Sequence, residues 1–415
     1  FVWQHQTNQM HRQLSNRPNT RFSHSSNPDL QSEALHSCIL QNLARLARSE
    51  GEINELDEGR FLKFVATQSG GTVTLSDLRK QLKQLRMGDI EGENHNEIAQ
   101  AVHEHINQFG ELRYHAGQFW QWKGSHWSEK HEFEIMQTIS AEFGFYPSCR
   151  KTSDYNGILK LMKSKCAKDL QQVYLKGVNF ANGFLDTDLM LRDHHPDYGS
   201  TYVLPYRYLK DEAGKMPVCN QFMIDSWGHD PDYDDKVAMF QEMIGATLFG
   251  VASDYQQAFC LYGAAGAGKS VASEIVQGLL PEGSVSNIPP EKWSDAFLPA
   301  QMHGKLMNYA GELSETKKIA GEHFKQIVAG ERITAQHKNQ QPFDFRPTCA
   351  QWFASNHLPR TSDNSNGFNR RWLFLEWTRP VSVEARTINL AETILSAERT
   401  AIAAWAVEGY MRLNP

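Results

Sequence analysis

Residues Gly263–Ser270 read GAAGAGKS, and this run decides how the rest of the chain is understood. It fits the pattern G-x-x-x-x-G-K-[ST]. In that pattern glycines let backbone N–H groups close around phosphates, the lysine neutralises the outer ones, and the serine hydroxyl takes Mg²⁺. In a chain of 415 residues a chance match is on the order of one in a hundred. The flanks strengthen it. QAFCLYG, from Gln257, is an apolar and aromatic stretch expected to be a buried strand, and SVASEIVQGLL, from Ser270, has the apolar spacing of a helix. Strand, glycine loop, helix is the order that sets an anion on a helix N-terminus.

Upstream of this unit, DDKVAMFQEMIGATLFG from Asp234 has a helical pattern and leads into the loop, so a domain boundary is expected there. The segments downstream of the loop decide among kinases, GTPases, transporter subunits and motors. GKLMNYAGELSE places an apolar strand, Leu306 to Ala310, before Glu312, where a carboxylate can orient the attacking water and help hold Mg²⁺. Two adjacent acids usually share this work, and Gly311 stands where the first would be. Whether Glu312 does both jobs or Glu315 helps stays open. WFASNHLP sets Asn356 after the apolar strand Trp352 to Ala354, where an amide can bond the γ-phosphate or the lytic water.

Two further segments complete the set. GFNRRWLFLEW puts Arg370 and Arg371 just before another apolar strand, with no acid nearby in sequence. Such an arginine can cross a subunit boundary and neutralise transition-state charge; a surface pair bridging local acids is the alternative. ERITAQHKNQQPFDFRP can form a hairpin from Ile333, Thr334 and Ala335 against Phe343, Asp344 and Phe345. Its tip, Gln336 to Gln341, then carries His337 and Lys338, placed to grip a phosphate or simply to be solvated.

Taken in order, GAAGAGKS, AGELSE, FKQIVAGERITAQHK, FASNHLP and FNRRWLFLEW resemble the superfamily 3 helicases of viruses, phages and plasmids. More narrowly the set is similar to the phage and plasmid primase-helicases, whose helicase half is related to the poxvirus-type primase-helicases. VNFANGFLDTD and HHPDYGSTYVLPYRY are similar to the β-rich segment that precedes the ATPase in that family. The resemblance covers roughly residues 111 to 415.

It implies an α/β, AAA+-like P-loop ATPase with a central parallel sheet over 234–415. A smaller mixed α/β family domain over 96–233 precedes it; the helical segment over 31–95 before that is read from its own pattern and carries no resemblance. It further implies an ATP-dependent DNA helicase that forms a homo-oligomeric ring, typically a hexamer, and draws single-stranded or forked DNA through a central pore. By position, Gly263, Gly266, Gly268, Lys269 and Ser270 would hold ATP, with Ser270 and Glu312 on Mg²⁺. Glu312 would be the Walker B acid, Asn356 the sensor, Arg371 the finger acting in trans, and His337 with Lys338 the DNA-gripping tip. Lys325 would touch nucleotide or the next subunit. A nucleotide-gated scaffold on an origin, or a DNA-packaging motor, is the alternative reading.

Composition sets outer limits. Net charge is −6, so contact with DNA must be local, not spread over the surface. No apolar run approaches the roughly 20 residues of a membrane span, and the opening FVWQHQTNQMHRQ lacks a signal-peptide core. Six cysteines without C-x-x-C spacing are expected to be reduced, mostly buried thiols in the cytosol of a bacterium or viral host. The chain begins at Phe1, so an upstream domain such as a primase or polymerase is expected in the full protein. Residues 1–30, rich in Gln, Asn, Ser and His, read as a polar linker.

From Leu30 to Met87 the pattern is helical, in LHSCILQNLARLARSEGEI and again in LSDLRKQLKQLRMGD, where Ser76 is the expected cap and Leu78, Leu82 and Leu85 the stripe. ELRYHAGQFWQWKGSHWSE, from Glu111, reads as strands joined by turns at Gly117 and Gly124. Its aromatics Tyr114, Phe119, Trp120, Trp122 and Trp127 suit a small core better than base stacking. His194 and His195 are read as turn residues, not metal ligands.

Overall fold

The computed structural model describes residues 55–68, 73–86, 94–173, 175–338, 341–382, 384 and 386–413. The expected linker over 1–30, the helical stretch LHSCILQNLARLARSEGEI and Cys38 lie outside the described residues. Two compact units are present. One gathers the described residues up to Ala101 with Phe145–Asp154, and the other comprises Val102–Gly144 and Tyr155–Pro415. Both sides of residue 234 fall in the second.

In the first unit, α1 (Glu55–Gln68) packs on α2 (Leu75–Arg86) through Leu62, Leu78 and Leu82. The side chain of Leu85 lies outside the description. The cap of α2 is Thr74 and not the expected Ser76. Thr74 Oγ1 accepts from the Asp77 N–H at 3.2 Å while Asp77 Oδ2 accepts from the Thr74 N–H at 3.1 Å. This reciprocal box satisfies two donors that a serine at the second residue of the helix cannot reach.

Helix α3 (His95–Asn107) precedes an antiparallel meander of β1 (Leu112–His115), β2 (Gln118–Trp122) and β3 (Trp127–Lys130). The β1–β2 turn runs through Ala116 and Gly117, both at positive φ, as a two-residue hairpin demands. Phe119 and Trp127 are buried and none of the five aromatics is exposed. The Trp127 indole N–H donates to the Pro196 carbonyl at 2.8 Å and its face carries the Arg113 guanidinium. Phe119 and Trp127 are core; Tyr114 packs half-buried on Phe119, Trp122 half-buried on Trp127, and Trp120 is half-buried.

After α4 (Glu132–Thr138) and α5 (Thr152–Lys165) comes a second meander, β4 (Gly177–Phe180), β5 (Gly183–Asp186) and β6 (Leu191–Arg192). His194 bonds Asn179 Oδ1 at 2.9 Å, and the His195 carbonyl closes a turn onto the Tyr198 N–H. Five described cysteines, Cys149, Cys166, Cys219, Cys260 and Cys349, are free and buried. Burial pushes their thiols up, Cys349 to about 12.

Helices α6 (Pro217–Trp227) and α7 (Tyr233–Leu248) lead to the main sheet. Its strands are β7 (Ala258–Gly263), β8 (Val285–Ser286), β9 (Met307–Ala310), β12 (Ala350–Ser355) and β13 (Trp372–Trp377). They lie in the order β13-β7-β12-β9-β8 and every pairing is parallel. Helix α8 (Lys269–Leu279) follows β7.

Both faces of the sheet are covered, as an all-parallel sheet requires. Along β7, Phe259 and Leu261 enter one core with Trp227, Phe240, Ile275 and Trp405, while Ala258 and Cys260 enter another with Trp293, Phe324 and Phe353. This is why QAFCLYG is a continuous apolar run and not an alternating one. Helix α9 (Gly321–Val328) and the short α10 (Asn366–Asn369) lie in the second core through Phe324 and Phe368; α11 (Leu390–Leu413) closes the first with Ile394, Ile402 and Trp405. Between α9 and β12, β10 (Ile333–Ala335) pairs antiparallel with β11 (Phe343–Phe345), the hairpin expected from the sequence.

Candidate functional site

Strand β7 ends at Gly263 and α8 begins at Lys269, so the whole turn is made by the glycine-rich run. Two positions need glycine. A Cβ on Gly263 would fall on the Trp377 carbonyl of the neighbouring strand, and Gly268, the residue capping α8, has φ 110°, in the left-handed region. The first N–H groups of α8 have no intrahelical acceptor and collect the partial positive charge of the helix end.

The loop forms one wall of a cavity of about 480 Å³, within the size range of small-molecule sites. Ala265 to Val271 line it on one side. Gly311 and Glu312 come from the end of β9, and Ala354, Ser355 and Asn356 from the end of β12. Register explains the convergence. Ser355 pairs with Tyr262 on β7 and Phe353 with Ala310 on β9, so β7 and β12 end within a residue of each other and β9 two residues short, and Gly311 and Glu312 follow at the same edge. Ligands of open parallel sheets bind at this carboxyl edge.

Lys269 is 8% exposed and its ammonium is held by oxygens only: Gly263 O at 2.8 Å, Ala264 O at 2.7 Å and Asn356 Oδ1 at 2.8 Å. No carboxylate makes an ion pair with it among the described residues. Burial depresses its pKa, the mark of a cation short of counter-charge. Glu312 and Asn356 are exposed to the same cavity. Glu315 is elsewhere: it pairs with His357 Nδ1 at 3.6 Å and does not line the cavity.

The remaining predicted residues lie apart from the cavity. Arg371 immediately precedes β13, whose Trp372 pairs with Ala258 at the start of β7. It therefore stands at the opposite end of a six-residue strand from the loop, roughly 20 Å away. Arg371 is 7% exposed, its Nη2 donates to Gln256 Oε1 at 3.1 Å, its Nη1 to the Gly367 carbonyl, and its Nε has no partner. Arg370 is exposed and also donates to Gln256 Oε1, at 2.8 Å. Lys325 pairs with Asp363 at 3.0 Å. On the hairpin, His337 and Lys338 are exposed, and the His337 ring stacks on Phe343 with centroids 5.2 Å apart. The tip residues 339 and 340 lie outside the described residues.

The cavity also contains residues that no sequence motif singles out: Phe222, Asp225 and Ser226 from α6, and Val381, Arg386 and Thr387 from the segment after β13. These come from stretches without glycine punctuation or recognisable spacing, and only the packing of α6 and α11 on the sheet delivers them.

Two family models match. One, described as a family of unknown function (DUF5906), covers residues 261–371, and the other, described as D5 N terminal like, covers residues 99–228. The first range contains the glycine loop, Glu312, the hairpin, Asn356 and Arg371. The second is a domain found in phage and viral primase-helicase proteins. Among solved structures, two apo forms of the NrS-1 C-terminal region align at 12% identity and a third at 13%. Each has a TM-score of 0.48 over 74% of this chain and 68% of that one. No curated protein matches.

Proposed function

We propose that this chain is the ATP-hydrolysing helicase part of a primase-helicase from a mobile element. It would act as a ring of identical subunits on single-stranded DNA. The observation that carries the reading is the meeting, in one cavity, of a counter-charge-poor Lys269 on a glycine loop, an amide at Asn356 and a carboxylate at Glu312. That trio has the parts phosphoryl transfer to water needs: a cradle and cation for the phosphates, a group to hold the γ-phosphate or water, and a proton acceptor. The D5-type match over 99–228 fits the same family.

In this reading the N–H groups of the loop and of the first turn of α8 bind the phosphate oxygens, and Lys269 offsets their charge. Glu312 orients water and takes its proton as the water oxygen bonds the γ-phosphorus and the bond from that phosphorus to the bridging oxygen breaks, the diphosphate leaving with the bridging oxygen. Asn356, hydrogen-bonded to Lys269, holds the γ-phosphate against the loop. The cavity offers Ser270 and Glu312 as ligands, and no group of three His, Cys, Asp or Glu that could hold a metal exists among the described residues. One hydroxyl and one carboxylate, completed by phosphate oxygens and water, is a donor set suited to Mg²⁺, which would neutralise charge on the phosphates.

The arginines at the far end of the sheet act, in this reading, on the next subunit's cavity, and the hairpin tip carries Lys338 to the DNA backbone. A few basic tips gathered in a pore suffice for binding in a chain of net charge −6, because counterion release counts local phosphate contacts. The grip is independent of sequence.

The test is ATP turnover with and without single-stranded DNA, beside displacement of a strand from forked DNA. DNA-stimulated turnover with displacement supports the proposal. Turnover without displacement reduces the chain to a nucleotide-gated scaffold, and absence of nucleotide binding removes the reading altogether.

A further inference from the structure

Between β13 and α11 the described residues 378–382, 384 and 386–389 include two, Val381 and Arg386, that meet the glycine loop. The Val381 N–H donates to the Gly266 carbonyl at 3.0 Å, and Arg386 Nε donates to the Val381 carbonyl at 3.2 Å. Its terminal Nη2 lies 2.5 Å from where a Cβ on Gly266 would stand, so the guanidinium rests directly on the loop. Val381, Arg386, Thr387 and Leu390 all line the cavity.

We infer that Arg386 is a second phosphate-binding cation of this site, supplied by the chain's own strap over the loop. The inference rests on the nucleotide reading above and deepens it. A guanidinium stays charged at any relevant pH, and here it forms no ion pair among the described residues. Its protein neighbours at the loop are neutral backbone. The anion that such a group pairs with most readily is a phosphate, which a guanidinium grips with two parallel N–H donors. Lys269 approaches from β7 and α8, Arg386 from beyond β13, so the two cations reach the cavity from separate elements. Because Val381 is bonded to the loop and the strap continues into α11, nucleotide held by Arg386 also fixes the start of that helix.

The experiment compares the full chain with Arg386→Gln and Arg386→Lys. It uses fluorescent adenosine triphosphate and diphosphate analogues across a potassium chloride series, and the melting temperature without nucleotide. Losing one charged phosphate contact should weaken triphosphate binding by about tenfold to a hundredfold in Arg386→Gln. It should flatten the salt dependence and leave the ligand-free melting temperature unchanged, with Arg386→Lys intermediate. Unchanged affinity and salt slope in Arg386→Gln, with the parent chain binding normally, overturns this inference alone. So does an affinity loss that tracks an equal fall in ligand-free stability with the salt slope intact. A parent chain that binds neither nucleotide overturns the functional reading and this inference with it.

Discussion

Lys269 Nζ and Asn356 Oδ1 are 2.8 Å apart, a hydrogen bond that ties the first helical residue after the glycine loop to the residue just beyond the adjacent strand. In the reading proposed above, the bond joins the cation that would meet the phosphates to the amide that would hold their terminal oxygen. Because the acceptor is a neutral amide, it orients the ammonium without cancelling its charge.

The pairing predicts a split between substitutions. Asn356→Ala should lower turnover on the order of a hundredfold to a thousandfold, the usual cost of one transition-state hydrogen-bond donor, with triphosphate affinity little changed. Asn356→Asp puts a carboxylate against Lys269, neutralising it and repelling phosphate, so affinity itself should fall. Equilibrium binding beside steady-state turnover separates the two. Equal affinity in both variants would count against this role for the amide.

The two arginines before β13 should also separate. Arg371 is buried on Gln256 and Gly367, so Arg371→Ala should lower the melting temperature as well as turnover. Arg370 is exposed, so Arg370→Ala should leave stability intact. If either acts across a subunit boundary, mixing it with Lys269→Ala subunits should restore part of the activity. Each inactive chain then supplies the half-site the other lacks. Activity of the mixture no greater than the sum of its parts would place the arginines' role within one chain.

The parts of the fold legible in the sequence were those with strong local constraints. QAFCLYG and its loop were readable because a strand covered on both faces is uniformly apolar and the turn after it demands glycine at Gly263 and Gly268. The hairpin was readable from the ITA and FDF stretches flanking a polar tip. The Thr74 cap escapes the sequence pattern because the reciprocal Thr74–Asp77 bonds begin four residues before the apolar stripe opens at Leu78, with the helix already started at Leu75. Phe222, Asp225 and Arg386 were invisible, since their place in the cavity depends on how α6 and the strap pack over a sheet whose neighbours are distant in sequence. The order β13-β7-β12-β9-β8 has the same character. Hydropathy shows that strands exist but not that β12 lies between β7 and β9, which is what brings Asn356 between the loop and Glu312.

Lys338 and His337 sit on a hairpin whose base is fixed by the Thr334–Asp344 hydrogen bond at 2.6 Å and the His337–Phe343 stack. Lys338→Ala should therefore remove stimulation by single-stranded DNA while basal turnover and assembly persist. His337→Ala should have a smaller effect, through loss of the stack that orients the tip. Turnover with a DNA titration, run beside sedimentation, measures both. Full DNA stimulation in Lys338→Ala would remove the hairpin from the DNA path.

Asp363 gives a prediction in pH. Its carboxyl is held down to about 2, first by the Ser365 hydroxyl and N–H and then by Lys325. Ser365 in turn caps α10, the short helix that ends beside Arg370 and Arg371. A carboxyl whose folded pKa lies below its ordinary value contributes stability in full above that value, and loses it as pH falls toward the folded pKa. The contribution is therefore present at neutral pH and disappears between about 4 and about 2. Asp363→Asn should melt below the parent chain at pH 7, with the gap closing through that acid window. Melting temperatures taken every half unit of pH check it, and a gap that stays constant down to pH 2 would show that Asp363 acts through packing and not through its charge.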